Sequence, residues 1–222
     1  MAKLLLYCVK AKPYLYGMFS GVFCESKYGY HLTNDNNVCE SHHRVFNGKV
    51  VAECDYEVEE IFEDNFEDAR DGYVEHFYTL KSYDDFDEGQ KVLLKESCLQ
   101  KHELSNYLGF ENGYAIHIKN LHIFDEPKEL SYYCFTEKSY NDTNKIFTDE
   151  IMIDGKWYRP VNKAPQNMMR VKRVLQEDGI LISIRPEWLC KILNGEKTIE
   201  VRKKVLKEMV KWVKDKRHLE DF

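Results

Sequence analysis

The chain has 222 residues, of which 43% are hydrophobic and 32% charged, and its net charge is −6. This apolar content is enough for the core of one large domain or two small ones. The acidic balance argues against a protein that coats nucleic acid with a generally basic surface. No apolar run approaches the roughly 20 residues of a membrane span, and the first apolar residues lead into lysines instead of a signal-peptide cleavage site. We therefore expect a soluble, globular, cytoplasmic protein.

Cysteine spacing and charge distribution add two further expectations. The seven cysteines are odd in number and evenly spread, which favours reduced thiols over a disulfide framework. Residues 1–169 carry 18 basic and 29 acidic side chains, a balance of −11, whereas residues 170–217 carry 14 and 7, a balance of +7. The basic part of the chain is compatible with a polyanion site, and equally with a solvated surface that binds nothing.

In the first half of the chain, apolar runs and turn residues predict strands. Residues 4–9 predict a buried strand, and the Gly-, Tyr- and Asn-rich residues 14–37 predict a loop or irregular insertion. Asn47-Gly48 is a turn signal before a strand over residues 49–58. Residues 53–88 hold 15 acidic and two basic side chains. An acidic, irregular insertion is therefore expected after this strand, away from any bound polyanion.

In the second half, residues 97–108 predict a short helix, and alternation over residues 113–124 predicts a long strand. A proline-started helical turn is expected over residues 125–130. Asp154-Gly155 predicts a turn that is followed by an extended segment to residue 169. Several strands with few helices predict a small barrel or a mixed α+β domain.

Residues 180–202 predict a strand, a helix, a tight turn and a charged strand. Pro186 suits the first helical position, and Gly195 suits a left-handed cap after the helix. Along residues 198–202 polar and apolar residues alternate, so Ile199 and Val201 should enter a core. Thr198, Glu200 and Arg202 should then share the opposite face, with Lys197 at the strand entrance.

Residues 203–222 form a basic amphipathic pattern with helical period. A terminal helix that docks on the body and extends its lysines to solvent explains the pattern. A helix that faces phosphates, a partner protein or a membrane surface is the alternative.

Residues 183–188 (SIRPEW) and 195–202 (GEKTIEVR) together resemble the opening motif of ASCH domains, members of the PUA-like superfamily. Further segments resemble later parts of bacterial and phage-associated relatives: residues 5–10, 47–53, 113–118, 125–130 and 164–167. In those relatives the opening motif comes first, whereas in this chain it comes last.

A circular permutation explains this order within one domain of residues 1–222. Residues 1–169 would form the barrel body, 170–179 a joining linker, 180–202 the opening motif and 203–222 the C-terminal helix. Permutation is tolerated when the original termini lie close together. A homodimer that swaps segments would satisfy the same contacts between two chains, and a recombined reading frame is a third explanation.

The resemblance implies an α+β fold with a small PUA-like β-barrel, flanking helices and a cleft that binds RNA or a modified nucleotide. Carried onto this sequence, the implied binding residues are Lys197, Thr198, Glu200, Arg202, Arg185 and His117. Lysine and arginine would engage phosphate or a base edge while Glu200 orients Arg202. The alternative is a surface salt bridge on an exposed strand and, for His117, a structural histidine of the barrel. No cofactor is implied.

A few small relatives are enzymes that remove the acetyl group of acetylated cytidine with a Lys, a Thr nucleophile and a Glu. The lysine corresponds to Lys197, but the nucleophile position is Glu200, and a carboxylate is a poor substitute for an activated hydroxyl. The catalytic residues of such an enzyme are therefore unknown in this chain.

Two alternatives to a binding module remain open. One is a hydrolase of nucleic acid or nucleosides, either a ribonuclease or an amidohydrolase, with Lys197 stabilising charge and Glu200 as acid or base. The other is a phage-type protein that binds another protein through the basic terminal helix.

The Cys39-x-x-His42 spacing is compatible with zinc ligation, and Cys24, His31 and His43 could supply further donors. No second cysteine pair accompanies it and turn glycines are lacking, so we expect no metal site.

Overall fold

The structure is a computed structural model. It describes residues 2–9, 22–26, 29–33, 46, 48–63, 77–80, 88–109, 112–136, 150–173 and 178–210. Within these residues strands predominate over helices, so the mixed α+β class is confirmed. No described helix is long and apolar enough to cross a membrane.

Twelve strands are described: β1 (Lys3–Cys8), β2 (Val22–Ser26), β3 (Gly29–Thr33), β4 (Val50–Glu63), β5 (Phe77–Leu80), β6 (Gly113–Lys128), β7 (Tyr133–Phe135), β8 (Ile151–Ile153), β9 (Lys156–Tyr158), β10 (Met168–Arg173), β11 (Gly179–Ile184) and β12 (Ile199–Arg202). The α-helices in the described residues are α1 (Glu88–Ser97), α2 (Lys101–Leu108) and α3 (Pro186–Leu193). A short 3-10 helix covers Leu130–Tyr132.

Eight strands form one sheet with the hydrogen-bonded order β12-β6-β4-β1-β11-β10-β7, and β5 pairs with β4. Two further pairs, β2–β3 and β8–β9, lie off this sheet. Closure into a barrel would require the two end strands to pair with each other. Among the described strands β12 and β7 remain ends, so the closed barrel predicted from sequence is not found. Both ends are short, and residues 159–161 cover the edge of β7: Phe135 N–H donates to the Arg159 carbonyl (2.8 Å) and Val161 N–H to the Tyr133 carbonyl (2.7 Å).

The chain divides into two compact units. The first comprises Met1–Asp55 and Asn120–Asn194, and the second comprises Tyr56–Lys119 and Gly195–Phe222. The predicted motif over residues 180–202 is therefore divided between the units at Gly195.

In the first unit, β1 lies between β11 and the start of β4. It pairs in parallel with β11, from Lys3 opposite Gly179 to Cys8 opposite Ile184, and antiparallel with β4. A strand with neighbours on both sides and apolar residues on both faces is expected to be fully buried. Leu4, Leu5 and Leu6 are each 0% exposed, which confirms the predicted buried strand.

In the second unit, β12 pairs antiparallel with β6. One core cluster joins side chains of β4, both helices α1 and α2, β6 and β12: Ile61, Leu93, Leu104, Leu108, Ala115, Ile199 and Val201. The prediction that Ile199 and Val201 enter a core is confirmed.

Helix bounds were predicted less well. The helix predicted over residues 97–108 is interrupted at Cys98, whose positive φ of 54° ends α1, because left-handed backbone does not continue a helix. α2 begins after Gln100, whose backbone N–H donates to the Glu103 carboxylate (2.8 Å) in a capping box. The helical turn predicted over residues 125–130 is wrong, since β6 continues to Lys128. Pro127 fixes φ near −65°, a value that extended backbone also accommodates.

Three other segments also differ from prediction. Residues 14–37, predicted as a loop, contain β2 and β3. In the linker predicted over residues 170–179, residues 170–173 end β10 and Gly179 begins β11, while residues 174–177 lie outside the described part. Val171 and Arg173 are both buried, so β10 has a buried face here. The helix predicted over residues 203–222 is present at residues 207–210 and absent at 203–206, and residues 211–222 lie outside the described part.

The predicted turn at Asp154-Gly155 is confirmed as the connection between β8 and β9. Both residues have positive φ, 51° and 76°, as a two-residue type I′ hairpin turn requires.

Two buried thiols should make the protein sensitive to alkali. Burial raises the pKa of Cys8 and of Cys54 to about 12. An unfolded cysteine has a pKa of about 8.5 and therefore loses its proton first, so stability falls as pH rises from there. We expect each thiol to reduce the free energy of unfolding by about 1.4 kcal/mol per pH unit above that value.

Urea unfolding across alkaline pH measures this loss. Cys54→Ala should make the decline with pH shallower, whereas Cys190→Ala, which removes a thiol that is only partly buried, should change it less. Equal slopes for wild type and Cys54→Ala would contradict the prediction.

Candidate functional site

Three of the predicted site residues meet in the second unit. The Glu200 carboxylate lies between two cations, with Oε2 3.5 Å from Nζ of Lys197 and Oε1 2.9 Å from Nη2 of Arg202. The side chains of Lys197, Glu200 and Arg202 are 2%, 9% and 13% exposed. We call these three residues the Glu200 cluster. Its burial distinguishes it from a salt bridge on an exposed strand.

The register of β12 places the cluster. Glu200 lies opposite Ile116 and Arg202 opposite Tyr114, whereas Ile199 and Val201 take the alternate positions. Successive side chains of a strand point to opposite faces. Because Ile199 and Val201 occupy the core under α1 and α2, Glu200 and Arg202 are directed to the other face of the sheet.

Lys197 precedes β12 and connects it to the end of α1. Its Nζ donates a hydrogen bond of 2.6 Å to the backbone carbonyl of Ser97, in the last turn of that helix. Carbonyls there lack partners within the helix and carry partial negative charge, which favours a cation. Burial lowers the pKa of Lys197, and the negative charge of Glu200 opposes that shift. Lys197 therefore fixes the position of Glu200 and has almost no surface of its own.

Thr198 is also tied to α1. Its backbone N–H donates to the Glu96 carbonyl (2.9 Å), and its hydroxyl donates to Oε2 of Glu96 (2.9 Å). The residue is exposed. Its hydroxyl holds the start of β12 against the helix.

The other two predicted residues, His117 and Arg185, are not members of the Glu200 cluster. His117 lies opposite Ile199 on β6, and its Nε2 is 3.1 Å from the Glu59 carboxylate. His117 therefore shares the register of the core-facing residue and not that of Glu200. Arg185 belongs to the first unit, where it is the exposed residue before α3.

The cluster places two cations around one carboxylate in a poorly solvated site. The chain matches no known protein family, no curated protein and no solved structure. Geometry and electrostatics must therefore support any function assigned to it. Arg202 is the most exposed of the three.

The same geometry bears on the hydrolase alternative. Both oxygens of Glu200 face cations, and the residue is only 7% exposed. A general acid or base must reach within hydrogen-bond distance of the substrate. This arrangement suits a residue that orients its neighbours better than one that transfers protons.

Sequence reasoning missed the residues that support the cluster from α1, namely the Ser97 carbonyl and Glu96. That helix, Glu88–Ser97, lies between the acidic insertion expected up to residue 88 and the helix predicted from residue 97, where no element was predicted. Its signal was present in the spacing of Leu93, Leu94 and Ser97, which gives one helical face.

The described residues hold no group of three or more potential metal ligands. Cys24 and His31 are cross-strand partners on β2 and β3, while Cys39, His42 and His43 lie outside the described residues.

Proposed function

We propose that this protein is a cytoplasmic module that binds RNA or a modified nucleotide, with the PUA-like ASCH fold in circularly permuted order. The observation that carries the proposal is the Glu200 cluster, in which one buried carboxylate holds an arginine and a lysine. A phosphate group offers the negative charge and the acceptor oxygens that a guanidinium prefers.

Within this proposal the three residues have different roles. Arg202 contacts the ligand, since a guanidinium has five N–H donors and can pair with one carboxylate while donating to a phosphate. Glu200 orients Arg202, and Lys197 orients Glu200. The exposed Lys203 and Lys204 follow Arg202 in the chain and supply further positive charge.

Strand pairing in the first unit supports the permuted order. The C-terminal motif strand β11 pairs along its whole length with the N-terminal strand β1. Ser183 donates from its backbone N–H to the Asn167 carbonyl (3.0 Å) and from its hydroxyl to the Pro165 carbonyl (2.7 Å). Segments that resemble the end and the beginning of an ASCH domain are thus in contact within one chain. A segment-swapped homodimer is not needed to form these contacts.

Arg202 variants test the proposal. We expect Arg202→Ala to weaken binding of a fluorescein-labelled, mixed-sequence RNA and to lower the slope of log affinity against log salt by about one, because one phosphate contact is lost. Arg202→Lys should keep most of the slope, since it keeps the charge that Glu200 and phosphate require, but should bind more weakly without the planar fork. Fluorescence anisotropy over a salt series measures both quantities.

Lys49→Ala is the matched control. It removes a partly exposed cation that pairs with Glu129 at 3.2 Å in the first unit, so it changes net charge equally without touching the cluster. We expect it to bind RNA nearly as wild type does. RNA binding that is insensitive to salt, or Arg202 variants that behave like Lys49→Ala, would contradict the proposed function.

A further inference from the structure

The β8–β9 hairpin of the first unit exposes two large apolar side chains side by side. Met152 is 55% and Trp157 61% exposed, and the two residues are directly opposite each other in the antiparallel pair. Opposite residues in such a pair lie on the same face with Cβ atoms about 5 Å apart. The hairpin therefore presents one continuous apolar surface, which we call the Trp157 face.

The hairpin is held firmly enough to present this face. Ile153 is 5% exposed and anchors the end of β8. Two ion pairs hold the hairpin: Glu150, just before β8, pairs with Arg159, just after β9 (3.4 Å), and Asp154 in the turn pairs with Lys172 of β10 (3.7 Å). Trp157 is thus exposed on a supported strand and not at the tip of the turn.

The segment that carries the Trp157 face has an excess of positive charge. Residues 150–173 contain six basic and two acidic side chains, although the whole chain carries −6. Two acids outside this segment offset part of the charge. Asp178 pairs with Arg170 (3.3 Å) and Lys172 (3.6 Å), and Glu53 pairs with the buried Arg173 (2.7 Å). Lys156 next to Trp157, and Lys163 further along, are exposed. An exposed aromatic ring within a cationic segment complements a polyanion with flat bases.

We propose that the Trp157 face binds single-stranded nucleic acid, with a base stacked on the indole ring and phosphates near the surrounding lysines and arginines. Base–aromatic stacking tolerates any sequence because every base offers a π face. The inference rests on the proposed function only in that the ligand is a nucleic acid, and it uses none of the same residues. The proposed stacking gives the first unit its own contact with the bound nucleic acid.

Two oligonucleotides distinguish the contribution of base stacking to binding from that of phosphate charge. One is an adenosine RNA and the other an abasic strand with the same number of phosphates, both labelled with fluorescein. We expect Trp157→Ala to weaken binding of the adenosine RNA by about five- to 150-fold, the range for loss of one stacked base. Trp157→Phe should lose much less, because it keeps a ring. Neither variant should change binding of the abasic strand or the salt slope, because no phosphate contact is removed.

Tyr132→Ala serves as the control, since Tyr132 is an exposed aromatic residue (51%) of the first unit that lies outside the hairpin. It should bind both oligomers as wild type does. Urea midpoints of all variants verify that folding is intact, and quenching of tryptophan fluorescence by the adenosine RNA provides a second readout on the unmodified chain. Trp157→Ala and Trp157→Phe should both lose most of the quenching, because each removes the indole on which the base stacks.

The proposal is overturned if Trp157→Ala binds the adenosine RNA as wild type does, if it weakens both oligomers equally, or if wild type binds neither. An apolar protein partner would then be the better explanation of the exposed face. Arg202→Ala, measured in parallel, separates the two proposals. An effect of Trp157→Ala without one of Arg202→Ala leaves this inference standing and removes the proposed cleft, and the reverse result does the opposite.

Discussion

Replacing Glu200 with alanine should lower the free energy of unfolding by about 3–5 kcal/mol, the usual cost of removing one partner from a buried ion pair. The variant would leave the Lys197 ammonium, 2% exposed, without its counter-charge, and Arg202 would lose its carboxylate partner as well. Because small proteins are stable by only about 5–15 kcal/mol, such a loss is a large share of the total. Urea unfolding followed by circular dichroism measures it.

Two further variants test the electrostatic cause. Lys197→Met, Glu200→Leu and Arg202→Met together remove all three charges of the cluster at similar volume, and should be less destabilising than Glu200→Ala alone. Glu129→Ala breaks the surface pair with Lys49 and should cost about 0–1 kcal/mol, because solvent screens exposed ion pairs. If Glu200→Ala were no more destabilising than Glu129→Ala, the cluster would not be a buried ionic site.

The sequence predicted most accurately those segments in which a strand-like alternation or an apolar run continues without interruption. The alternation correctly placed Ile199 and Val201 in the core and Glu200 and Arg202 on the other face of β12, whereas the Thr198 hydroxyl bonds Glu96 of α1. The run that forms β1 was equally clear, because its leucines are continuous. In both cases a local pattern determines burial, and no distant residue is needed to interpret it.

Sequence failed where the deciding interaction is distant. Cys98 ends α1 with a left-handed backbone that no local signal required. The charged residues of β10 looked like a linker because Arg173 is buried only through its pair with Glu53 (2.7 Å), which lies 120 positions away. Such partners are visible only once the sheet has formed.

The candidate site likewise combines features that a local pattern predicted with features that depend on distant residues. Sequence identified Lys197, Glu200 and Arg202 as neighbours, because strand alternation and a tight turn place them together. It did not predict their burial. That burial depends on α1, whose Ser97 carbonyl accepts a hydrogen bond from Nζ of Lys197. The resemblance supplied His117 as a candidate, whereas the register of β6 against β12 gives it the core-facing position opposite Ile199.

The pairing of β1 with β11 leads to the second large expected effect. Leu5 and Leu181 are direct partners in the parallel register, both 0% exposed and members of one core cluster. Each alanine substitution should cost about 2–5 kcal/mol, through lost apolar burial and the cavity left behind. Because the side chains share that cluster, the double variant should depart from additivity by about 0.5–3 kcal/mol.

A double-mutant cycle by urea unfolding measures this coupling, and the same cycle with valine at both sites keeps the chain folded if the alanine pair does not. Met152→Ala combined with Leu181→Ala is the control, and should be additive since Met152 is exposed and outside that cluster. Coupling between Leu5 and Leu181 would support an N-terminal strand and a C-terminal motif that complete one sheet, as the permuted order requires. Strict additivity would contradict the packing of β11 on β1 and leave the permuted order without structural support.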